Sequence, residues 1–198
     1  MTVGAIEVWR IRLDEARVPP PTPEEASKAA RFVTPVLSQR YLCAHGALRA
    51  ILARFTDAAL EFAVGASGKP YLPGAPELKF NLLHSHEMAL VGVALEVEIG
   101  VDVERVRSLP DNEAIAERYF PPSEAAAHAA VPASDRERDF YRRWTRIEAV
   151  LKARGVGLYG AGEEAEGEWT VEEIEVEDGY AAAVAAPRVG MAVTVRDY

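Results

Sequence analysis

The chain has 198 residues, 49% of them hydrophobic, and a formal net charge of -9 at pH 7. A chain of this length can bury a full hydrophobic core. The acidic balance argues against a large nucleic-acid surface, because such a surface needs an excess of basic residues to neutralise phosphates. We therefore expect no nucleic-acid partner, and we expect any anionic ligand to be held by a local basic pocket.

The sequence also carries signals of cellular compartment. No apolar run approaches the roughly 20 residues that a membrane span needs, and the N-terminus lacks the basic start and apolar core of a signal peptide. Cys43 is the single cysteine, so the chain cannot form an intramolecular disulfide, which agrees with a reducing compartment. We expect a cytoplasmic protein with no membrane partner.

The first elements are a strand and a helix. Alternating apolar and polar residues predict a half-buried strand over residues 5–13. Thr22, followed by Pro23 and Glu25, is typical of a capped helix start with proline at the first helical position. This helix is predicted to extend to about Phe32.

A longer helix is predicted over residues 36–55. Its apolar face is expected to comprise Leu37, Tyr41, Leu48, Ile51 and Leu52. A loop over residues 65–76 then leads to a strand over residues 78–86. The continuous apolar run 88–95 favours a buried strand, and we expect residues 99–104 to be its hairpin partner.

The second part of the chain repeats this order of elements. A helix is predicted over residues 112–119, and a second, alanine-rich helix is predicted to end at about residue 130. A third helix is predicted over residues 134–154, and Gly155 is expected to end it. Three strands are predicted over residues 168–176, 180–186 and 191–195, after an acidic loop over 163–168. The pattern predicts an α+β protein with two similar halves, residues 1–98 and 99–198.

An acidic pair lies at the predicted junction of these halves. Asp102 and Glu104 alternate with apolar residues, so on a strand they share one face. Paired carboxylates repel one another unless a cation or a shared proton lies between them, so a hard metal ion is one interpretation and a solvated strand face is the other. Glu148 and Lys152, one helical turn apart, favour the metal interpretation, although an exposed ion pair would have the same spacing.

Four motifs in order resemble the signature of the 4'-phosphopantetheinyl transferase superfamily, surfactin-synthetase-activator (Sfp) type. They are Gly-Lys-Pro at 68–70, Phe-Asn-Leu-Leu-His-Ser at 80–85, Ile-Gly-Val-Asp-Val-Glu at 99–104 and Trp-Thr-Arg-Ile-Glu-Ala-Val-Leu-Lys at 144–152. The resemblance covers nearly the whole chain. It implies a pseudo-dimer of two similar α+β halves, each a small, mainly antiparallel sheet packed with helices, with the ligand cleft between the halves.

The resemblance also implies an activity. Members transfer the 4'-phosphopantetheine arm of coenzyme A to a serine of an apo acyl or peptidyl carrier protein, in a Mg²⁺-dependent reaction that releases adenosine 3',5'-bisphosphate, and they act as monomers. By position, the Mg²⁺ ligands are Asp102, Glu104 and Glu148. The catalytic residues are Glu148, Lys152 and Asp102, with Glu148 also a base for the serine hydroxyl. The residues that hold coenzyme A are Lys69, His84, Arg40, Lys28 and Lys152.

Two positions depart from the family pattern, which generally has lysine where this chain has Ile147 and serine where it has Leu83. Losing one charge-assisted contact costs about 1.5 to 3 kcal/mol, unless Arg143 or Arg146 replaces it. A lapsed homologue that binds coenzyme A or a carrier protein without transfer is therefore an alternative. An unrelated magnesium-dependent phosphohydrolase and a purely structural module are two others.

Overall fold

A computed structural model describes residues 4–66, 68–156, 168–187 and 190–198. It confirms the predicted α+β class. The elements are β1 (Ala5–Arg12), α1 (Pro23–Ala29), α2 (Pro35–Leu52), β2 (Ala63–Val64), β3 (Pro70–Tyr71), β4 (Leu78–Ser85), β5 (Met88–Leu95), β6 (Gly100–Arg105), α3 (Asn112–Tyr119), α4 (Pro122–Ala129), α5 (Arg136–Arg154), β7 (Thr170–Glu173), β8 (Tyr180–Ala186) and β9 (Ala192–Asp197). The predicted acidic loop lies largely outside the described residues.

Two sheets form the centre of the fold. The first has the strand order β4-β5-β1-β9, and the second has the order β6-β8-β7. All pairs are antiparallel except β1 with β9, which is parallel. Strand β9, from the end of the chain, therefore completes the sheet that β1 begins.

The sheets pack face to face between two layers of helix. Ile6 and Leu90 of the first sheet share a buried cluster with Val101 and Val184 of the second. On the opposite face of the first sheet, a separate cluster includes Ile51 and other residues of α2, while α5 packs against β6 and β8. Burial on both faces explains why β5 is apolar along almost its whole length.

The predicted hairpin between β5 and the following strand is wrong. Strand β5 pairs with β1 along one edge and with β4 along the other, so neither edge is left for β6. After Glu96, which adopts a positive φ of 61°, the chain enters the second sheet. The apolar pattern of β6 was therefore correctly assigned to a strand but to the wrong partner.

The start of α1 follows the predicted capping chemistry, whereas the end of α1 and one residue of the predicted apolar face of α2 differ. The Thr22 side chain accepts a hydrogen bond from the Glu25 amide, and the Glu25 carboxylate accepts one from the Thr22 amide. Helix α1 ends at Ala29 rather than near Phe32. Leu37, expected on the apolar face of α2, is 45% exposed, because it lies in the first turn of the helix, before the segment that packs on the sheet.

Gly100 sets the distance between β6 and α5. A Cβ atom at this position would lie 2.0 Å from the carbonyl oxygen of Ala149 and 2.5 Å from the amide nitrogen of Ala153. Only a residue without a side chain permits this approach. The contact brings the helix bearing Glu148 and Lys152 directly onto the strand bearing Asp102.

Candidate functional site

Asp102 is the buried centre of the site. Its neighbours on β6, Val101 and Val103, face the core between the sheets, so strand alternation turns Asp102 toward α5. Its side chain is 2% exposed. One carboxylate oxygen, Oδ2, is buried without a hydrogen-bond partner. A buried polar atom in this state is compatible with a site that a bound ion or water completes.

Lys152 lies between Asp102 and Glu148. Its Nζ donates to Asp102 Oδ1 at 2.5 Å and to Glu148 Oε2 at 3.1 Å. Burial alone would lower the pKa of Lys152, but the two carboxylates outweigh it and the pKa is raised. The lysine is therefore an ammonium ion, and it cannot act as a base near neutral pH.

The charges on the site are not balanced. Burial raises the pKa of Asp102 to about 7; Lys152 opposes the rise, and the charges of Glu104 and Glu148 add to it. Of these three carboxylates, Lys152 pairs with Asp102 and Glu148, so one ammonium group faces three acidic side chains. Such an excess of negative charge in a buried place is the setting in which a divalent cation lowers the electrostatic energy.

Glu104 is held from the other sheet. Ser85, the last residue of β4, donates its hydroxyl proton to Glu104 Oε2 at 2.8 Å, and its oxygen accepts a hydrogen bond from the Arg105 amide at 3.2 Å. Within the residues that the structure describes, no three Asp, Glu, His or Cys side chains converge closely enough to enclose a metal ion. The donor set nevertheless fits Mg²⁺ chemically, because Mg²⁺ binds few carboxylates and keeps several waters.

Lys69 lies at the junction of the sheets. Its Nζ donates to Glu98 Oε2 at 2.7 Å and to the carbonyl oxygen of Ile99 at 2.8 Å. Lys79 pairs with the same carboxylate at 3.3 Å. Lys69, Lys79 and Glu98 line a cleft of about 390 Å³ that also includes Arg154, at the end of α5. The cleft joins the two parts of the chain and brings three basic side chains to one place.

The other predicted basic residues lie beside the first sheet, where each has a neighbour. Arg40 makes two hydrogen bonds to the Asp14 carboxylate, at 2.9 and 2.7 Å. Lys28 Nζ lies 5.2 Å from the centre of the Tyr41 ring. Desolvation, and then the charge of Arg40, lower the pKa of His84. Arg40 and His84 therefore belong to one electrostatic group.

The sequence analysis missed His45 in this group. Its ring centroid lies 4.2 Å from that of Tyr41. Burial lowers its pKa to about 4, and the nearby Lys28 and His84 contribute to the lowering. At neutral pH His45 is uncharged, so it can offer a hydrogen bond but no positive charge. Its place four residues after Tyr41, on the predicted apolar face of the helix, gave no separate signal.

The two departures from the family pattern are apolar in their packing as well. Ile147 packs against a cluster that contains Phe140 and Tyr141, and Leu83 packs on the core between the sheets. Neither proposed replacement charge reaches the acidic site. Arg143 pairs with Asp139 and Glu124, and Arg146 pairs with Glu173.

Ser85 is the last residue of the Phe-Asn-Leu-Leu-His-Ser motif, and the sequence alone predicted no role for it. A usable signal was present, because Asn81 and Ser85 are polar residues that lie on the same face of β4. Both reach β6: the Asn81 side chain accepts a hydrogen bond from the Val101 amide at 2.9 Å. Polar residues on a strand face that packs on another sheet are expected to have partners there.

A family model described as the 4'-phosphopantetheinyl transferase superfamily matches residues 98–178. The chain is 33% identical over 165 residues to the 4'-phosphopantetheinyl transferase HetI of a Nostoc species, an alignment that covers 77% of this chain and 70% of that protein. It is 30% identical over 138 residues to a 4'-phosphopantetheinyl transferase of Bacillus subtilis, covering 68% of this chain and 60% of the relative.

It is also similar to the 4'-phosphopantetheinyl transferase Sfp of Bacillus subtilis strain 168, with 27% identity over 140 residues, covering 69% of this chain and 61% of that protein. In several of these relatives the match therefore spans about three fifths of the length. The residues that the family model matches, 98–178, include β6, α5 and β7.

Proposed function

The chain belongs to the 4'-phosphopantetheinyl transferase superfamily, and on that premise we propose that it transfers the 4'-phosphopantetheine arm of coenzyme A to a serine of an apo acyl or peptidyl carrier protein. The other product is adenosine 3',5'-bisphosphate. The observation that supports this most strongly is the buried Asp102 carboxylate, which has one oxygen without a partner beside Glu148 and Lys152. This is an arrangement suited to a cation that neutralises a pyrophosphate.

The proposed cation is Mg²⁺, and the residues that would hold it are Asp102, Glu104 and Glu148. When bound, Mg²⁺ neutralises negative charge on the phosphates and on the leaving group. Lys152 is the second positive charge at the site, because its ammonium already lies between two of these carboxylates. The lysine is placed to contribute a point charge to the phosphates.

Glu148 is the proposed base. The serine oxygen of the carrier forms a bond to the phosphorus that bears the pantetheine arm, and the bond from that phosphorus to the oxygen of the leaving bisphosphate breaks. The serine proton passes to Glu148, directly or through a water. The Glu148 side chain is 16% exposed, so it lies at the edge of the buried site, where an incoming hydroxyl can approach.

Further basic residues are proposed to hold coenzyme A together with Lys152. They are Lys69, His84, Arg40 and Lys28. Lys69 lies in the cleft between β4 and the end of α5, and the others form a group near α2. Since Arg40 pairs with Asp14, a phosphate at that place would have to compete with this carboxylate.

The proposed partner is an acidic carrier protein, and the arginines at 136, 138, 142 and 143 are proposed to contact it. Arg142 makes two hydrogen bonds to Glu173, and Arg136 pairs with Glu113. Docking would therefore exchange existing ion pairs for new ones, which gives specificity more than affinity. We further propose that the protein acts as a monomer in the cytoplasm. No helix in the described part of the chain is both long and apolar enough to cross a membrane.

The test is transfer itself. The protein is incubated with coenzyme A, Mg²⁺ and each of several apo carriers, and the carrier mass is measured. We expect a mass increase of one phosphopantetheine group, lost in Asp102→Asn and kept in Asp57→Asn, a matched change at an exposed aspartate. Transfer by Asp102→Asn at the wild-type rate would refute the role of Asp102.

The second proposal is a lapsed homologue that binds coenzyme A or a carrier without transfer. It is favoured by the apolar packing of Ile147 and Leu83, at positions where the family generally has polar groups. Calorimetric binding of coenzyme A together with an unchanged mass of every carrier would support this proposal over the enzyme.

A further inference from the structure

We propose that Ser85 is a positioning residue that fixes the carboxylate of Glu104 for the cation of the active site. The inference rests on the proposed function, because it assumes that Glu104 is a ligand. Ser85 is on the first sheet and Glu104 on the second. The serine would therefore place one ligand by reaching across the interface between the sheets.

The hydrogen bonds at Ser85 have a defined direction. The Arg105 amide donates a hydrogen bond to the Ser85 side-chain oxygen at 3.2 Å. The hydroxyl proton is then available to the Glu104 carboxylate, whose Oε2 lies 2.8 Å away. Ser85 thus holds the backbone of β6 and a side chain of β6 at the same time, and this limits the positions that the carboxylate can adopt.

Glu104 needs such a partner more than the other two carboxylates do. Asp102 and Glu148 both pair with Lys152. In the described ranges, no lysine, arginine or histidine forms an ion pair with Glu104. It is half-buried and lies two residues from Asp102 on the same face of β6. Repulsion from Asp102 favours rotation of the flexible glutamate away from the site, and the Ser85 hydroxyl opposes that rotation.

A general role in joining the sheets would explain the same hydrogen bonds, and Asn81 separates the two explanations. Asn81 also lies on β4 and also bonds to β6, but its partner is the Val101 amide and no carboxylate is involved. Loss of Asn81 removes a bridge between the same two strands. Loss of Ser85 removes a bridge and also frees Glu104.

The experiment measures Mn²⁺ binding by electron paramagnetic resonance, with coenzyme A present, for the wild type and for Ser85→Ala, Ser85→Thr and Asn81→Ala. Groups that orient metal ligands typically change metal affinity 10- to 100-fold when removed. We expect Mn²⁺ to bind about tenfold more weakly to Ser85→Ala, and Ser85→Thr, which keeps the hydroxyl, to bind within about threefold of the wild type. Asn81→Ala should lose thermal stability and keep its Mn²⁺ affinity.

Transfer kinetics give a second readout. In Ser85→Ala the Mg²⁺ concentration for half-maximal rate should rise about tenfold, while the rate at saturating Mg²⁺ stays within about threefold of the wild type. Unchanged Mn²⁺ binding in Ser85→Ala, or equal weakening in Ser85→Ala and Asn81→Ala, would overturn the positioning role while leaving the proposed function intact. If the wild type neither binds Mn²⁺ nor modifies a carrier, both proposals fail.

Discussion

The buried carboxylate of Asp102 should cost the metal-free protein stability as pH rises, and Asp102→Asn should remove that cost. Burial raises the pKa of Asp102 from 3.8 to about 7. Because the folded state binds the proton more tightly than the unfolded state, this group contributes stability at low pH. The contribution is lost as pH rises toward about 7.

The size of the effect follows from the pKa. Each pH unit over which folded and unfolded states differ by one proton changes the free energy of unfolding by about 1.36 kcal/mol. Between pH 5 and about pH 7, Asp102 is protonated in the folded state and ionised in the unfolded state. The two states therefore differ by about one proton over about two pH units. We therefore expect the wild type to lose about 3 kcal/mol more than Asp102→Asn across this interval.

The assay is urea unfolding of both proteins at pH 5 and pH 8, in the presence of a chelator, and the quantity compared is the change between the two pH values. Comparing changes cancels the titration of groups that do not interact with Asp102. Equal changes in the two proteins would refute the assignment of a raised pKa to Asp102.

Asp14→Asn is the matched control, with the opposite sign. The hydrogen bonds from Arg40 lower the pKa of Asp14, so this carboxylate contributes stability above about pH 4 and loses it as pH falls. The Asp14 side chain is about half exposed. This exposure limits the contribution of the ion pair to the free energy of unfolding to about 1 kcal/mol or less. Asp14→Asn should therefore leave the change between pH 5 and pH 8 as in the wild type.

Three further changes test other parts of the argument. Gly100→Ala should lower the free energy of unfolding by about 3 kcal/mol, measured by urea unfolding, because its Cβ would overlap the Ala149 carbonyl; a fully stable variant would contradict the close packing of α5 on β6. Ile147→Lys should raise the transfer rate about tenfold, because it adds a positive charge. It should also lower the melting temperature, because it removes an apolar side chain from the cluster around Phe140. An unchanged rate would mean that the charge is supplied elsewhere. Thr22→Ala should cost about 1 kcal/mol in thermal unfolding, and no loss would show that the cap of α1 is dispensable.

Local patterns predicted the elements well, because their causes are local. The capping box at Thr22, the strand alternation from Ala5 and the left-handed Gly155 at the end of α5 all depend on neighbours in sequence. The choice of the strand that pairs with β6 does not depend on neighbours in sequence. An apolar strand such as β5 can be paired on both edges or on one, and its composition is the same in either case, which is why the predicted hairpin was wrong.

The acidic site was predictable in its residues but not in its contacts. Alternation placed Asp102 and Glu104 on one face, and helical spacing placed Glu148 beside Lys152. Whether Lys152 would point to phosphate or to carboxylate depends on how closely α5 approaches β6, and that distance is set by Gly100. The link from Ser85 to Glu104 crosses between sheets whose packing no local pattern reports.

The parallel pairing of β1 with β9 has a consequence for synthesis of the chain. Strand β1 emerges from the ribosome early, but its neighbour β9 is available only after residues 192–197 have emerged. Until then the edge of β1 is unpaired, and an exposed edge is a site of incorrect association. The helices and the second sheet are translated within this interval, so the nascent protein should depend on rapid closure by β9, or on a chaperone that covers β1 while the remainder is made.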